Sequence, residues 1–396
     1  MLVDVDVLVV GGGVIGSSIA YHLARSGARV RVYEQALPAT EPSASWASAG
    51  GVRQQGRDSR EWPLTLEATR RWPGLDAELE AATGFVQGGH LHLVEDEAEL
   101  GALQQRVERE SQAGMRIRLL DAGEVYALAP HVKEGIVGAA FTPEDGQADP
   151  RRTTSAFAAA AERHGAEYVT RAHVDGLVDG KPRVRGIRVG GATVLADAVV
   201  LATGVWTNAL TGPLGCELPV AARGPQMLLT TPGPPRLAPT LTANNRALSL
   251  KQLPSGEFFI GGGWPTDVVD TEHGLACRVR PDSEAGSWRV ATDIVPPVAA
   301  QRVDQRWGGL EAQSFDGVPF IGPLPGLSGA FVAVGFSGHG FQLSPAVGRA
   351  LADLVGGASV PQLAPLATGR IQALDSAAVE AFKCAPLSQP VGTIAQ

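Results

Sequence analysis

The stretch Asp6–Glu34, DVLVVGGGVIGSSIAYHLARSGARVRVYE, predicts a strand, a glycine turn, a helix and a second strand. The apolar run before the glycines is typical of a strand that is buried on both faces. Gly11, Gly13 and Gly16 fit the pattern G-x-G-x-x-G, which allows a tight turn and brings backbone N–H groups close to a pyrophosphate. The helix that follows points its positive end at those phosphates. We therefore expect a dinucleotide site here, the alternative being a glycine turn with a purely structural role.

An acidic residue ends the second strand. Glu34 lies 18 residues after Gly16, where a carboxylate accepts hydrogen bonds from a ribose 2′-OH and repels a 2′-phosphate. NADP is therefore disfavoured, whereas the ADP half of NAD or FAD fits.

Size and composition narrow the class of protein. The 396 residues suffice for two domains, or for one domain with a large insertion, and 44% hydrophobic against 19% charged residues indicate a globular chain. The net charge of −8 has no long run of one sign, so nucleic-acid binding is not expected. Three scattered cysteines argue against a disulfide framework. No stretch approaches the ~18 uninterrupted apolar residues of a membrane span, and we expect a soluble, cytoplasmic protein.

Two later segments resemble ligand-binding ends of a sheet. Residues 197–204, DAVVLATG, predict a second buried strand that closes on a glycine. Residues 335–345, GFSGHGFQLSP, precede a helix that we expect over Ala346–Val355, with Ser344 as its cap and Pro345 in its first turn. By contrast, His90 and His92 share a strand face but have no third ligand nearby, so we expect packed or solvated histidines and no metal site.

Several motifs occur along the chain in an order that resembles one known family. They are VVGGGVIGSSIAYHLA (9–24), SASWASAGG (43–51), VVLATGVWT (199–207), ARGPQ (222–226), FDGVPFIGP (315–323) and VGFSGHGFQLSPAVGRAL (334–351). They resemble the FAD-dependent amine and amino-acid oxidoreductases of the D-amino-acid oxidase superfamily, which includes glycine oxidase, sarcosine oxidase and D-amino-acid dehydrogenases. The resemblance covers nearly the whole chain.

The resemblance implies an α/β fold with a Rossmann-like FAD-binding domain and a discontinuous α+β substrate domain on a mixed or antiparallel sheet. It assigns residues 1–84, 146–215 and 307–376 to the FAD-binding domain, 85–145 and 216–306 to the substrate domain, and 377–396 to a C-terminal tail. Relatives with covalent flavin carry a cysteine near the position of Gly309 or a histidine in the loop that is Ser43–Gly51 here. This chain has neither, so non-covalent FAD is expected.

The family motifs also imply the cofactor contacts. Donors at the second helix start, Gly338–Gln342, would face the flavin edge on which negative charge develops during reduction. Val174 would lie behind the adenine. The full set of expected contacts is Gly11, Gly13, Val14, Ile15, Gly16, Glu34, Gln35, Ser45, Trp46, Ala49, Gly50, Gly51, Val174, Ala202, Thr203, Gly204, Trp206, Gly338, His339, Gly340, Phe341 and Gln342.

Substrate recognition departs from the family pattern. Glu311 stands where glycine and D-amino-acid oxidases carry an arginine, and Gln342 stands where sarcosine oxidase carries a lysine. Both cations that clamp a substrate carboxylate are therefore missing. One hypothesis is that Glu311 pairs with a cationic group of a larger amine or opine-like substrate, while Arg53 or Arg223 holds an acid group. The alternative is that Glu311 is a structural or solvated carboxylate.

The implied reaction is oxidation of a C–N bond in an amino acid or secondary amine, by hydride transfer to flavin N5 and hydrolysis of the imine. His339, Arg53, Gln342 and Glu311 are the candidate catalytic residues, and Trp264 joins Arg53, Arg223 and Glu311 as a candidate substrate contact. Phe259 occupies the approximate position of an oxygen-activating lysine, which favours a dehydrogenase. Either O2 or an electron-transfer partner would accept the electrons. The alternative is a flavoprotein subunit of a multi-subunit amine dehydrogenase.

Overall fold

The structure, a computed structural model, describes residues 5–180, 182–272 and 274–385. Its helices are α1 Val14–Arg25, α2 Ala44–Ala47, α3 Trp62–Arg71, α4 Leu75–Glu78, α5 Glu97–Gln112, α6 Ala122–Leu128, α7 Pro150–Arg163, α8 Thr207–Thr211, α9 Pro281–Ile294, α10 Gly340–Val355 and α11 Ser376–Cys384. Its strands are β1 Val5–Val10, β2 Val30–Glu34, β3 Gly51–Val52, β4 His90–Val94, β5 Arg118–Asp121, β6 Gly138–Thr142, β7 Gly146–Gln147, β8 Glu167–Thr170, β9 Val174–Gly180, β10 Arg183–Val189, β11 Ala192–Leu201, β12 Val220–Arg223, β13 Gln226–Thr230, β14 Thr240–Ala243, β15 Arg246–Gln252, β16 Phe258–Gly261, β17 Asp267–Thr271, β18 Gly274–Arg278, β19 Val303–Gly308, β20 Glu311–Ser314, β21 Phe320–Leu324 and β22 Leu327–Val334.

One sheet carries the predicted strand–helix–strand unit. Its strand order is β21-β22-β10-β11-β1-β2-β8, and β1 lies between β2 and β11, parallel to both. Leu8 and Val9 of β1 are fully buried, as a central strand with both faces covered requires. Because these parallel strands run in one direction, Glu34 and Leu201 end at the same edge of the sheet.

Helices α1 and α10 pack against each other beside this sheet. The Ser18 hydroxyl donates to the carbonyl of Ser344 at 2.8 Å. Gly348 faces the same place, where a Cβ atom would lie 2.7 Å from the carbonyl carbon of Ser18. Only a residue without a side chain lets the two helices approach this closely.

A second sheet has the order β19-β13-β16-β15-β14-β4-β6-β5. It is antiparallel except for the parallel pair β4 and β14, and its core contains the fully buried Leu91, Phe258 and Ile294. The predicted fold class, a Rossmann-like domain with a second domain on a mixed sheet, is confirmed. Strand β19 pairs with β13 as far as Gly308, so the expected boundary between residues 306 and 307 falls inside a strand of this sheet.

Two helices differ from the sequence-based expectation. Helix α10 begins at Gly340, and Pro345 lies inside it instead of in its first turn. The helix tolerates the proline because the Ser344 hydroxyl donates to the carbonyl of Phe341 at 2.8 Å, the acceptor that a proline nitrogen cannot serve. In the expected tail, Ser376–Cys384 forms α11, capped by Asp375; residues 386–396 lie outside the described part. Among the described helices, none has the length and apolar character to cross a membrane.

Candidate functional site

A cavity of about 1370 Å³ runs from the edge of the first sheet to the face of the second. Its lining includes the ends of β1, β2 and β11, the first turn of α1 and the residues before α10. Both helix N-termini therefore open into one continuous space, which is an arrangement suited to negatively charged ligand groups.

The glycine turn after β1 fits a pyrophosphate. Gly11 has φ +103°, and a Cβ atom there would lie 2.9 Å from the carbonyl carbon of Ala202. A Cβ atom on Gly16 would collide with the backbone of Gly11. No side chain caps α1 at its N-cap residue Gly13, although the Ser45 hydroxyl accepts from the N–H of Val14 at 2.9 Å. The glycines thus create a shallow backbone cradle at the helix start.

Glu34 lies at the end of β2, in the wall of the cavity. Its carboxylate accepts from the N–H of Gly12 at 2.7 Å and from that of Ala36 at 2.8 Å. These bonds hold the side chain beside the glycine turn, the position from which a carboxylate reaches a ribose hydroxyl. The residues around the glycine turn therefore fit the ADP half of FAD.

The second helix start is also open toward the cavity. Ser337 and Gly338 adopt positive φ values of 50° and 87°, and no side chain caps α10 at its N-cap residue His339. Two N–H groups of this turn are already used: that of Gly338 donates to Glu311, and that of His339 donates to the carbonyl of Phe336 at 2.9 Å. The residues at the helix start line the cavity, so the positive end of a 16-residue helix adjoins the space. A positive helix end suits the part of a flavin on which negative charge develops.

Most of the expected cofactor contacts line this cavity. They are Gly11, Gly13, Val14, Ile15, Glu34, Gln35, Ser45, Ala49, Gly51, Val174, Ala202, Thr203, Gly204, Trp206, Gly338, His339, Gly340 and Phe341.

Three expected contacts have packing roles instead. Gly16 and Gly50 allow neighbouring backbones to approach, and Cβ atoms there would collide with Gly11 and Ala148. The ring of Trp46 lies under the Arg151 guanidinium, with 4.8 Å from the ring centre to Cζ.

The structure places Gln342 and Trp264 away from the cavity lining. Gln342 is fully buried, and its amide donates to the carbonyl of Thr65 at 3.2 Å and to the hydroxyl of Thr69 at 3.3 Å. It therefore ties α10 to α3. The indole N–H of Trp264 donates to the carbonyl of Ala247 at 2.9 Å, and its ring fills the space left by Gly286. The expected contacts of these two side chains with cofactor or substrate are not supported.

Glu311 reaches the cavity beside the start of α10. Its carboxylate accepts a hydrogen bond from the N–H of Gly338, and burial raises its pKa to about 7. Among the described residues, no arginine, lysine or histidine nitrogen forms an ion pair with it. Glu311 thus has a structural bond and still presents an acid without a counter-charge to the cavity.

Arg223 pairs with Glu311 through the backbones of β12 and β20, but its side chain turns elsewhere. The guanidinium donates to the carbonyl of Phe382 at 2.9 Å and lies 5.0 Å from the centre of that ring. Helix α11, in the expected tail, therefore holds the arginine in the cavity wall, where Arg53 also lies.

His339 is held by an acid that the sequence did not reveal. Its Nδ1 lies 3.0 Å from a carboxylate oxygen of the fully buried Glu61. Burial lowers the pKa of His339 to about 4, with nearby Arg57 acting in the same direction. The ring is therefore neutral at pH 7. A carboxylate can only accept, so Nδ1 donates and Nε2 remains an acceptor. Glu61 precedes its partner by 278 residues, and no local motif links them.

A lysine lies beside Phe259. The Nζ atom of Lys251 is 5.2 Å from the centre of the Phe259 ring, and burial lowers the pKa of this lysine to about 7. Neither Lys251 nor Phe259 is among the residues that line the cavity, so the phenylalanine alone does not distinguish a dehydrogenase from an oxidase.

His90 and His92 bond to threonines of the neighbouring strand β14. Nδ1 of His90 lies 2.7 Å from Thr240 Oγ1, and Nδ1 of His92 lies 2.9 Å from Thr242 Oγ1. No group of three potential metal ligands occurs among the described residues.

Comparisons with known proteins extend over almost the whole chain. The family DAO, described as FAD dependent oxidoreductase, matches residues 6–354. Glycine oxidase of Geobacillus kaustophilus is 29% identical over 357 residues, covering 88% of this chain and 92% of that protein. Hydrogen cyanide synthase subunit HcnC of Pseudomonas aeruginosa is 27% identical over 424 residues, covering 96% of this chain and 99% of that protein.

A solved structure supports the same assignment. L-Proline dehydrogenase from P. horikoshii superposes with a TM-score of 0.85 at 26% identity, covering 94% of this chain and 99% of that one. The residues at both helix starts fit the FAD that this family binds. The chain belongs to the DAO family of FAD-dependent oxidoreductases.

Proposed function

We propose that this oxidoreductase oxidises a C–N bond of an amino acid or secondary amine. One observation carries the proposal: the cavity that receives the dinucleotide continues past the start of α10 to the carboxyl group of Glu311 and the guanidinium of Arg53. An amine and an acid group thus find complementary partners in the space beyond the cofactor. When bound, FAD supplies the two-electron acceptor for the oxidation.

Glu311 is the proposed proton acceptor for the substrate ammonium. An amine loses hydride only when its nitrogen carries a free electron pair, so the ammonium proton must leave first. A carboxyl group with a pKa near 7 suits that task, because its ionised form is present near neutral pH and its basicity exceeds that of a solvated glutamate.

Arg53 is the proposed partner of the substrate acid group. Its guanidinium lines the cavity and donates to the carbonyl of Gln55 at 2.5 Å, a bond that orients it. A guanidinium offers several donors in a fixed plane, so one bond to the backbone leaves others for a carboxylate. Arg53 would take over the clamp that the two missing family cations provide elsewhere.

The relatives support amino acids as the substrate class. One of them is named glycine oxidase and another L-proline dehydrogenase. Glycine is a primary and proline a secondary amine, and both carry an α-carboxylate. An acid at Glu311 for the amine and a guanidinium at Arg53 for the carboxylate suit either kind of amine.

The test is anaerobic reduction of the bound flavin, followed as loss of its visible absorbance. We expect at least one compound among D-amino acids, secondary amines and opine-like amines to bleach the isolated chain. The corresponding N-acylated compounds, which lack a basic nitrogen, serve as controls and should leave the spectrum unchanged. Failure of every amine to bleach the flavin would contradict the proposal.

A second candidate is a flavoprotein subunit that passes electrons to a partner. It is favoured by the match to HcnC, which is named as a subunit and is covered over 99% of its length. After reduction by an amine, the isolated chain should then reoxidise slowly with O2 and fast with an artificial acceptor. Fast reoxidation by O2 alone would support an oxidase.

A further inference from the structure

The cavity wall formed by α5, β4 and the loop after β3 carries a group of side chains that we call the arginine pocket. It consists of Arg53, Arg57, Arg106 and His92, all of which line the cavity. The proposed function uses only Arg53, so the other members require an explanation of their own.

Two guanidinium groups of the arginine pocket meet at Gly56. An atom placed at the Cβ position of Gly56 would lie 3.0 Å from Nη1 of Arg53 and 3.6 Å from Nη1 of Arg106. The two arginines come from different elements, the loop after β3 and helix α5. The two guanidinium groups are therefore close neighbours in the cavity wall, and planar sets of donors of this kind suit carboxylates.

Two donor nitrogens of the arginine pocket are buried without a hydrogen-bond partner among the described residues. Nη1 of Arg57 and Nε of Arg106 have no hydrogen bond among the described residues. The other nitrogens of Arg57 donate to the carbonyl of Arg53, at 3.2 Å from Nε and 2.9 Å from Nη2. Arg106 donates to the side-chain oxygen of Gln55 at 3.3 Å. Buried polar groups are normally satisfied, so the guanidinium groups of Arg57 and Arg106, which line the cavity, lack part of their usual set of partners.

Acidic residues stand behind these arginines. Glu110 lies 4.0 Å from Nε of Arg106 and accepts from the N–H of Gly56 at 2.8 Å. Asp145 accepts from the N–H of Gln54, and Glu61 holds His339. None of these three acids lines the cavity, whereas the three arginines do. A ligand therefore meets the cations first.

The remaining polar groups on this wall do not reverse that charge. Burial lowers the pKa of His92 to about 3, so its ring is neutral. Two acids do line the cavity nearby: Asp58 is neutralised by Arg60 at 2.9 Å, and Glu99, which accepts from the amide of Asn245, contributes one negative charge against the three arginines.

We propose that the arginine pocket holds a second carboxylate of the substrate, so that the preferred substrates are amines or amino acids with two acid groups. Arg53 binds one carboxylate, and the neighbouring Arg106 binds the other, with Arg57 adding a further positive charge to the same wall. The assignment rests on the proposed amine oxidation, but it concerns recognition and not the chemical step. Buried guanidinium groups that repel one another are stabilised when anions neutralise them.

Binding without turnover provides the first test. Glutarate has two carboxylates and no amine, and butyrate is its one-acid counterpart. With the FAD-loaded protein, we expect glutarate to perturb the flavin spectrum at a concentration roughly tenfold or more below butyrate, the range for one charge-assisted hydrogen-bonded pair. Equal affinities would overturn the proposal, whether or not any variant folds.

Variants locate the effect. Arg106→Gln should abolish the advantage of glutarate over butyrate, and Arg106→Lys, which keeps the charge without the planar donors, should restore part of it. Arg116→Gln is the matched control, because the substitution removes the same charge from an exposed arginine that pairs with Glu144 at the surface. Loss of the advantage in Arg116→Gln, or its persistence in Arg106→Gln, would contradict the assignment.

Turnover separates the two proposals. Under anaerobic conditions, iminodiacetate should reduce the flavin at lower concentration than sarcosine, and D-glutamate at lower concentration than D-alanine. If glutarate binds through Arg106 but no amine bleaches the flavin, the proposed oxidation is wrong and the arginine pocket is supported as a carboxylate site. If amines with one and two acid groups bleach it equally, the arginine pocket fails and the oxidation stands.

Discussion

Glu311 combines two properties that a solvated glutamate lacks. It accepts a hydrogen bond from Gly338 at the start of α10, which fixes its orientation, and burial raises its pKa to about 7. The acid form therefore predominates below pH 7 and the carboxylate above it. A group of this kind can switch between binding an ammonium and taking its proton within the physiological range.

Replacing Glu311 with glutamine tests this role. The rate of flavin reduction should rise with pH through about 7 in the unaltered protein, because only the ionised carboxyl accepts a proton. In Glu311→Gln that step should vanish and the rate at pH 8 should fall by roughly a hundredfold or more. Single-turnover stopped-flow measurements give both values.

The control for this experiment is Glu108→Gln, which changes an exposed acid on α5 and should leave the pH profile intact. Cationic substrates should lose more affinity than neutral ones in Glu311→Gln. Equal losses for both would contradict the pairing of Glu311 with a substrate cation.

At the scale of elements, the contact between α1 and α10 joins the two helix starts of the site. Ser18 and Gly348 meet where the helices cross, and no atoms larger than hydrogen fit on Gly348. The contact therefore sets the relative position of the two helix N-termini that open into the cavity.

Two glycine-to-alanine changes should have opposite effects on stability. Alanine at position 348 gains ~1 kcal/mol of helix propensity, but crowding against the Ser18 backbone should cost about 1–3 kcal/mol, so we expect a lower free energy of unfolding. Gly101 lies within α5 with nothing within 4 Å of its Cβ position, and Gly101→Ala should raise the free energy of unfolding by about 0.5–1 kcal/mol. Urea titration measures both; stabilisation by both changes would show that α1 and α10 have room to separate.

For the whole molecule, the cavity that we propose to hold FAD is assembled from distant parts of the chain. Gly11 and Glu34 lie near one end, Gly204 in the middle and Gly338 near the other end, yet all line one cavity. A ligand that contacts all of these parts should stabilise the entire first sheet.

Cofactor titration tests this coupling. FAD at a free concentration of a hundred times its Kd should stabilise the flavin-free protein by about 2.7 kcal/mol and raise its thermal midpoint. NAD, which shares the ADP half only, should have a much smaller effect. A midpoint that responds equally to both, or a flavin that stays attached after acid precipitation, would contradict a specific non-covalent FAD site.

The sequence predicts this architecture well where the deciding residues are close together. Gly11, Gly13, Gly16 and Glu34 occur within one strand–helix–strand unit, so their spacing alone indicates the turn and the acid beside it. The sequence predicts a start for α10 that is too late, because Pro345 is ordinarily a residue of the first turn and the compensating bond from Ser344 depends on the folded geometry.

The side chains proposed to contact the substrate are harder to predict from the sequence. Arg106 lies on a polar helix whose sequence shows nothing beyond an amphipathic pattern, and only the fold brings it to Gly56. Gln342 occupies a motif position typical of a substrate contact, yet its side chain turns into the core toward Thr65. Contacts between elements that are far apart in sequence leave no spacing signal, and the rotation of a side chain about its helix is decided by packing.

The hydrogen bond between Ser18 and Ser344 also bears on how the protein is made. Its partners are 326 residues apart. During synthesis, α1 therefore cannot contact α10 until the residues between them have been added. During that interval the apolar face of α1 lacks its cover and the cofactor site lacks its second helix start. A chain that ends before α10 would lack both that cover and that helix start, and exposed apolar surface of this kind is what chaperones and proteases bind.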